Sequence, residues 1–304
     1  MSLKSGMKQK NDACLICGER EFDVVASFDE PDRYEQAVGI MLADDYWRKW
    51  VRCSNCGFYY SLYSRNQGTL DNIYTASYRN KNAAWRGNSN EEVFQKVVGL
   101  PAVESETKFR VKWIKDYLSQ AREAKLLKDG TPPYNMLDIG GGTGVFAYEF
   151  QNHEWKSHVI DVDPSGGFIE SQLGIPFLPQ SYKPNSFATS FDLIAMVFVL
   201  EHLEDPMGIM AQLHLDMAQQ ALVYIEVPDA VCFDLKPQDD DIFNSCHLWM
   251  FSPNTISEML NQTGYEICAM QRVRTIRGHY SLMTLAQQKD CLKQTVKTIK
   301  QPTS

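Results

Sequence analysis

At 304 residues, with 44% hydrophobic and 22% charged residues, the chain is long enough for one full α/β domain plus a small accessory module, and its composition excludes a disordered protein. A net charge of −8 argues against nucleic acid as a partner, because phosphate binding draws on Lys and Arg, and the first 62 residues hold eight of those against ten Asp and Glu. No secretory apolar segment opens the sequence, and its longest apolar run, Leu193 to Leu200, falls far short of a membrane span; the expectation is a soluble, cytoplasmic protein.

Two Cys-x-x-Cys-Gly knuckles come first, Cys14 to Gly18 and Cys53 to Gly57, separated by 35 residues. In a cytosolic chain, paired knuckles mean tetrahedral zinc rather than disulfides. The glycine after each pair suits a tight turn whose N–H groups face thiolate sulfur. Cys14, Cys17, Cys53 and Cys56 therefore form a predicted structural zinc site with no open position for catalysis. A redox role for one knuckle is disfavoured, since neither lies in a thioredoxin-like βαβ pattern. A module this small buries too little apolar surface to stand alone, and zinc supplies the missing folding energy. The long inter-knuckle loop, Phe28 to Leu42, either lies over a substrate site or decorates the module.

An aromatic-rich stretch follows. Tyr59, Tyr60, Tyr63, Tyr74, Tyr78 and Trp85 either wall a pocket or, as aromatics more often do, pack between two layers. The period of Val103, Thr107, Val111, Ile114, Leu118 and Ala121 predicts a helix over Pro101 to Lys128, broken by Gly130-Thr131-Pro132-Pro133. The next segment, Met136-Leu137-Asp138-Ile139-Gly140-Gly141-Gly142-Thr143-Gly144, runs an apolar strand into four glycines, the pattern of a turn where the chain takes left-handed angles or where a side chain would strike a ligand, opening a helix N-terminus. The dinucleotide turn wants G-x-G-x-x-G, and here Val145 occupies the slot of its last glycine. A second strand, Ser157 to Val162, ends in Asp161-Val162-Asp163-Pro164, about 20 residues on, the offset of a ribose-binding acid. Asp163 is the better candidate, placed at the strand's carboxyl end; the other reading is that both acids cap the next helix. Ile175 to Leu178, Asp192 to Val199 and Ala221 to Val227 read as buried parallel strands, and Tyr265 to Arg274 with Tyr280 to Gln287 as a terminal hairpin. The tail from Gln288 carries Lys289, Lys293 and Lys297 on a solvated face.

Ligands of open α/β sheets lie beyond the carboxyl ends of the strands. After the fourth strand come Glu201 and His202, in Val199-Leu200-Glu201-His202-Leu203-Glu204-Asp205-Pro206. There His202 either takes a substrate proton, oriented by Glu201, or shapes a pocket in which alignment does most of the work. After the fifth comes Asp239-Asp240-Asp241, read as a solvated loop rather than a cation site. His247-Leu248-Trp249-Met250-Phe251-Ser252-Pro253 follows, with Ser252 as N-cap and Pro253 opening a helix. His247 either reaches substrate or satisfies a loop carbonyl. His279, in Arg277-Gly278-His279-Tyr280, is a weaker candidate.

The glycine segment with Leu137 and Asp138 resembles motif I of the class I S-adenosylmethionine (SAM) dependent methyltransferases. The run from Val199 to Pro206 resembles their V-L-E-H-L-x-D-P segment, and His247 to Pro253 an H-x-x-x-F-S-P stretch of the same group. Residues 12 to 287 are thus similar to the methyltransferases that carry an N-terminal zinc ribbon, a set that includes sugar C-methyltransferases. The resemblance implies a doubly wound α/β fold: a seven-stranded Rossmann-like sheet, last strand antiparallel, with a small N-terminal zinc-ribbon module. It implies SAM held by Asp138, Gly140, Gly142, Gly144 and Asp163, with His202, Glu201 and His247 as catalytic candidates. The expected divisions are a zinc module over 11–62, a helical connecting or lid segment over 63–130, the methyltransferase domain over 131–287 and a tail over 288–304. The sugar C-methyltransferases add a large C-terminal domain for which no room is expected after Gln287, so their substrate class does not carry over. Nucleic-acid N-methyltransferases place an Asp/Asn-Pro-Pro-aromatic turn after the fourth strand, where this chain has Phe198-Val199-Leu200-Glu201. The expected partner is a small molecule, with neither nucleic acid nor membrane. The alternatives are an NAD-dependent oxidoreductase, against which Val145 argues, and a non-catalytic zinc-bearing scaffold.

Overall fold

The computed structural model describes residues 13–40, 46–64, 89–124, 131–276 and 278–289. Tyr74, Tyr78, Trp85, Leu42, Arg277, Lys293 and Lys297 lie outside them. Their centre is a seven-stranded sheet that follows the expected alternation: β4 (Tyr134–Ile139), β5 (Trp155–Asp161), β6 (Phe177–Pro179), β7 (Phe191–Val197), β8 (Met217–Pro228), β10 (Tyr265–Arg274) and β11 (Tyr280–Gln288). Their order is β10-β11-β8-β7-β4-β5-β6. Strands β4 to β8 pair in parallel, and β11 runs antiparallel to β8 and β10. Helices cover both faces, so Met136, Leu137, Ile194 and Val223 are wholly buried, as parallel strands require. The switch point lies at β4, from which the sheet grows toward β5 on one side and β7 on the other, and a crevice opens there above the strand ends.

A four-stranded sheet stands beside it: β1 (Phe22–Phe28), β2 (Arg48–Cys53), β3 (Tyr59–Tyr63) and β9 (Trp249–Met250), in that order and antiparallel throughout. The strand β9 belongs to the segment after β8, so a piece of chain that follows the central sheet completes the sheet of the cysteine module. Tyr59, Tyr60 and Tyr63 are packing residues here, all buried; the neighbouring Phe58 stacks on Trp249 at 5.9 Å.

The helices are α1 (Arg33–Ala37), α2 (Asn90–Val98), α3 (Glu106–Glu123), α4 (Val145–Phe150), α5 (Gly167–Leu173), α6 (Pro206–Leu213) and α7 (Pro253–Gln262). The start predicted for α3 at Pro101 is corrected to Glu106. Ser105 accepts the Lys108 N–H at 3.2 Å and caps the helix there, which leaves Val103 94% exposed in the preceding turn. The remaining stripe, Val111, Ile114, Leu118 and Ala121, is buried as its period demands. Ser252 caps α7 with Pro253 in its first turn, as read from the sequence. Among the described residues no helix is long and apolar enough to cross a membrane.

Candidate functional site

The turn after β4 takes its shape from close packing inside the chain. Gly140 has φ +70°, and a Cβ there would lie 2.5 Å from Cγ2 of Val199. A side chain at Gly144 would meet Ile169 at 2.8 Å. Left-handed angles, one of the two reasons the sequence offers for these glycines, are present at Gly140, Gly142 and Gly144, at φ +70°, +60° and +73°; the neighbours a side chain at Gly140 or Gly144 would meet are the protein's own Val199 and Ile169. The Gly142 N–H donates to Asp161 Oδ2 at 2.7 Å, and Asp161 Oδ1 accepts the Asp163 N–H at 2.8 Å. Asp161 thus ties the glycine turn to the end of β5. Asp163 makes the capping contact, one of its two readings. Its Oδ1 caps the following turn by accepting from Ser165 N at 2.9 Å, while Oδ2 accepts from the Asn90 side chain at 3.1 Å, and the residue stands on the wall of a cavity.

That cavity, about 740 Å³, runs along the carboxyl ends of β4, β5, β7 and β8. Gly140, Asp161 and Asp163 line one part of it and Glu201, His202 and His247 another. Asp138, Gly142 and Gly144 are not among its lining residues; Asp138 is buried beneath the turn, 2.8 Å from where a Gly141 Cβ would stand. His279 reaches the rim, its Nδ1 3.4 Å from Lys236 Nζ.

Glu201 and His202 sit in a 3-10 turn, Leu200–His202, directly after β7. Glu201 is buried, and no other residue among those described supplies a hydrogen bond to either carboxylate oxygen. Burial first, and the charge of Glu226 in addition, push its carboxyl up to about 8. His202 Nδ1 lies 2.9 Å from the Cys246 carbonyl oxygen and must donate to it, which makes Nε2 the lone-pair nitrogen; Nε2 stands 3.6 Å from Glu201 Oε1. His247 does satisfy a loop carbonyl, through Nδ1 to Ile242 O at 2.8 Å, yet also faces the cavity, its ring centroid 4.9 Å from that of His202. Burial lowers its pKa and favours the neutral imidazole.

The sequence reading missed Arg110 and Glu226. Arg110, in the first turns of α3, makes a bidentate pair with the fully buried Glu226 of β8, one arm at 2.9 Å. Glu226 also accepts from Tyr224 Oη at 2.7 Å and Ser281 Oγ at 2.9 Å. The guanidinium lies 5.4 Å over the ring of Phe198, itself at φ +54° in the cavity wall. An arginine inside a buried helical stripe, and a glutamate inside an otherwise apolar strand, were the available signals.

In the cysteine module, Cys14 and Cys56 sulfurs lie 3.5 Å apart, as do those of Cys17 and Cys53, and all four ligand atoms fall within 4.8 Å of one another. Gly18 and Gly57 close the knuckles at φ +75° and +72°. The described part of the inter-knuckle loop is tied to the segment after β8: Asp32 accepts from the backbone N–H and hydroxyl of Ser245 at 2.6 and 2.7 Å, and Arg33 pairs with Asp241 at 2.8 Å.

Strand order, glycine turn and acid at the end of β5 together define the Rossmann-like fold of the class I SAM-dependent methyltransferases. The chain belongs to the methyltransferase-domain family, whose model matches residues 111–269. No curated relative matches it by sequence. Among solved structures it is similar to the 1,6-didemethyltoxoflavin-N1-methyltransferase of Burkholderia thailandensis, solved with 1,6-didemethyltoxoflavin and S-adenosylhomocysteine bound. That match is at 13% identity and a TM-score of 0.54, over 82% of this chain and 98% of the other. The magnesium protoporphyrin IX methyltransferase of Synechocystis PCC 6803, with SAM bound, matches at 13% identity and a TM-score of 0.49, over 74% of this chain and 100% of the other.

Proposed function

We propose that this methyltransferase acts on a hydroxylated small molecule, a sugar or secondary-metabolite intermediate, and that residues 11–62 form a structural zinc module packed against the catalytic domain. The observation that carries the reading is the cavity itself, which joins the glycine turn and Asp163 to the Glu201, His202 and His247 wall in one space of about 740 Å³, a size suited to a cofactor and a small acceptor. The Burkholderia neighbour holds a small heterocycle beside S-adenosylhomocysteine, which supports the same reading.

Gly140 would lie against the cofactor, Asp163 would accept from the ribose hydroxyls, and Asp138, Gly142 and Gly144 would hold the turn in shape from behind. When bound, SAM supplies an electrophilic methyl on a sulfonium. His202 Nε2, kept as the lone-pair nitrogen by the Cys246 carbonyl, receives the acceptor's proton, with Glu201 beside it and His247 against its ring. Among the described lining residues are seven acids and one side-chain cation, Arg110, which is committed to Glu226. This balance favours a neutral or cationic acceptor over a phosphorylated one. The four cysteine sulfurs fit a tetrahedral zinc, with nothing left open for substrate.

Native mass spectrometry of the whole chain with SAM, S-adenosylhomocysteine or NAD tests the reading. One zinc per chain and retained adenosylhomocysteine, with no NAD, is the expected result. Failure to hold SAM or adenosylhomocysteine at high excess would overturn it, and NAD binding would put the oxidoreductase in its place.

A further inference from the structure

We infer that Glu201, His202 and His247 form a binding site for a divalent first-row transition ion inside the cavity, separate from the four cysteines. The ligand atoms of the three residues lie within 4.8 Å of one another. His202 Nε2 and Glu201 Oε1, at 3.6 Å, are too far apart for a hydrogen bond. Two donors about 2.1 Å from one ion stand roughly 3–3.5 Å apart, so a small closure brings this pair onto a shared ion.

Three further observations agree. Both imidazoles direct Nδ1 at a backbone carbonyl, of Cys246 at 2.9 Å and of Ile242 at 2.8 Å. This is the arrangement that fixes the tautomer and ring orientation of a metal-ligating histidine. Glu201 is 1% exposed and lines the cavity, and among the described residues no other residue donates to either of its oxygens. A buried carboxylate in that state is costly unless something outside the protein completes it. Finally, the acidic lining concentrates cations.

Two imidazoles and one carboxylate suit Zn²⁺, Co²⁺ or Fe²⁺ better than the all-oxygen shells of Ca²⁺ or Mg²⁺. Three protein ligands leave positions open toward the cavity, where a hydroxyl or carbonyl oxygen of the acceptor can bind. This deepens the methyltransferase reading and rests on it for the acceptor. With an ion bound, His202 would be a ligand and not a base: the ion would acidify an acceptor hydroxyl, whose proton would pass to water as the methyl moves from SAM to the oxygen and leaves S-adenosylhomocysteine.

The test uses tag-free, full-length protein whose cysteines are already filled with zinc, titrated with Co²⁺ alone. The expected result is one further ion per chain, with the weak visible bands of nitrogen and oxygen ligation and no thiolate-to-cobalt charge transfer. Glu201→Gln and His247→Gln should each weaken that uptake by at least about tenfold, since even partners standing behind a metal ligand are worth 10–100-fold. Adenosylhomocysteine affinity, measured on the same proteins, should stay within about twofold of wild type, which certifies that the variants fold. Absence of a second ion at millimolar Co²⁺, uptake with thiolate character, or equal uptake by folded variants would overturn the inference. If wild type takes up the ion and fails to bind adenosylhomocysteine, the methyltransferase reading falls and the metal site stands.

Discussion

Replacing Arg110 with Met removes the cation from the buried pair that joins α3 to β8. Glu226 is wholly buried and loses both arms of a bidentate contact, keeping Tyr224 Oη at 2.7 Å and Ser281 Oγ at 2.9 Å. Two charge-assisted hydrogen bonds, at about 1.5–3 kcal/mol each, set an upper bound near 6 kcal/mol. The two surviving hydroxyls and the apolar packing of Met recover part of that, which leaves about 3–5 kcal/mol, the usual range when one partner of a buried ion pair is removed. For a domain of this size that lowers Tm by roughly 6–20 °C. Urea denaturation followed by tryptophan fluorescence reads the free energy, and differential scanning calorimetry reads Tm. The double variant Arg110→Met with Glu226→Gln isolates the cause. A neutral amide still accepts from Tyr224 and Ser281, so the double variant should be more stable than Arg110→Met alone. A loss under about 1 kcal/mol for Arg110→Met, or a double variant that loses the sum of the two single losses, would refute the assignment of that stability to an uncompensated buried charge.

Gly140→Ala places a methyl 2.5 Å from Val199 at φ +70°, so it should destabilise by about 2–5 kcal/mol from backbone and overpacking together. Adding Val199→Ala should recover the overpacking part alone, and thermal denaturation of both checks this. Asp163→Asn should weaken adenosylhomocysteine binding roughly 10- to 100-fold by calorimetry, the equivalent of one charge-assisted hydrogen bond; an unchanged affinity would leave Asp163 as a cap and nothing more. Cys53→Ser, or stripping zinc with a chelator, should release the metal and shift tryptophan emission to the red. Trp50 and Trp249 are both buried in the four-stranded sheet, and unchanged emission after complete metal loss would show that zinc does not hold that sheet.

The parallel sheet was legible because its strands are short apolar runs, bounded by turn residues and alternating with helical periods. The glycine turn and the acids at the end of β5 were legible for the same reason: their constraints are local, set by the backbone of a few consecutive residues. The left-handed angles at Gly140 and Gly144 follow from that local pattern, whereas the atoms a side chain there would meet belong to Val199 and Ile169, far along the chain. Helix α3 shows the converse. Its stripe extended in sequence to Val103, but Ser105 offered a cap, and the cap decided where the helix starts. Glu201, His202 and His247 could each be singled out from its neighbours, whereas their convergence depends on a fold-back of the segment after β8 that no spacing encodes.

That fold-back explains why a cysteine module accompanies this sheet. The strand β9 is two residues long, too short to hold itself in place. It is fixed by pairing Tyr59 with Met250 and Tyr60 with Trp249 on the β3 edge, by Ser61 N–H donating to Leu248 O at 2.9 Å, and by Trp249 Nε1 donating to Leu203 O at 2.6 Å. The Leu248 N–H in turn donates to the Glu201 carbonyl at 2.8 Å. The module thus grips both sides of the cavity wall at once, the turn that carries Glu201 and His202 and the loop that carries His247. Asp32 and Arg33, from between the knuckles, fix the same loop at Ser245 and Asp241. A closed four-cysteine site has no chemistry to offer an acceptor, but it can position one side of the pocket while the central sheet positions the other. The end of the cavity at β4 and β5 is built on the central sheet, and it is the wall of Glu201, His202 and His247 that the four-stranded sheet completes.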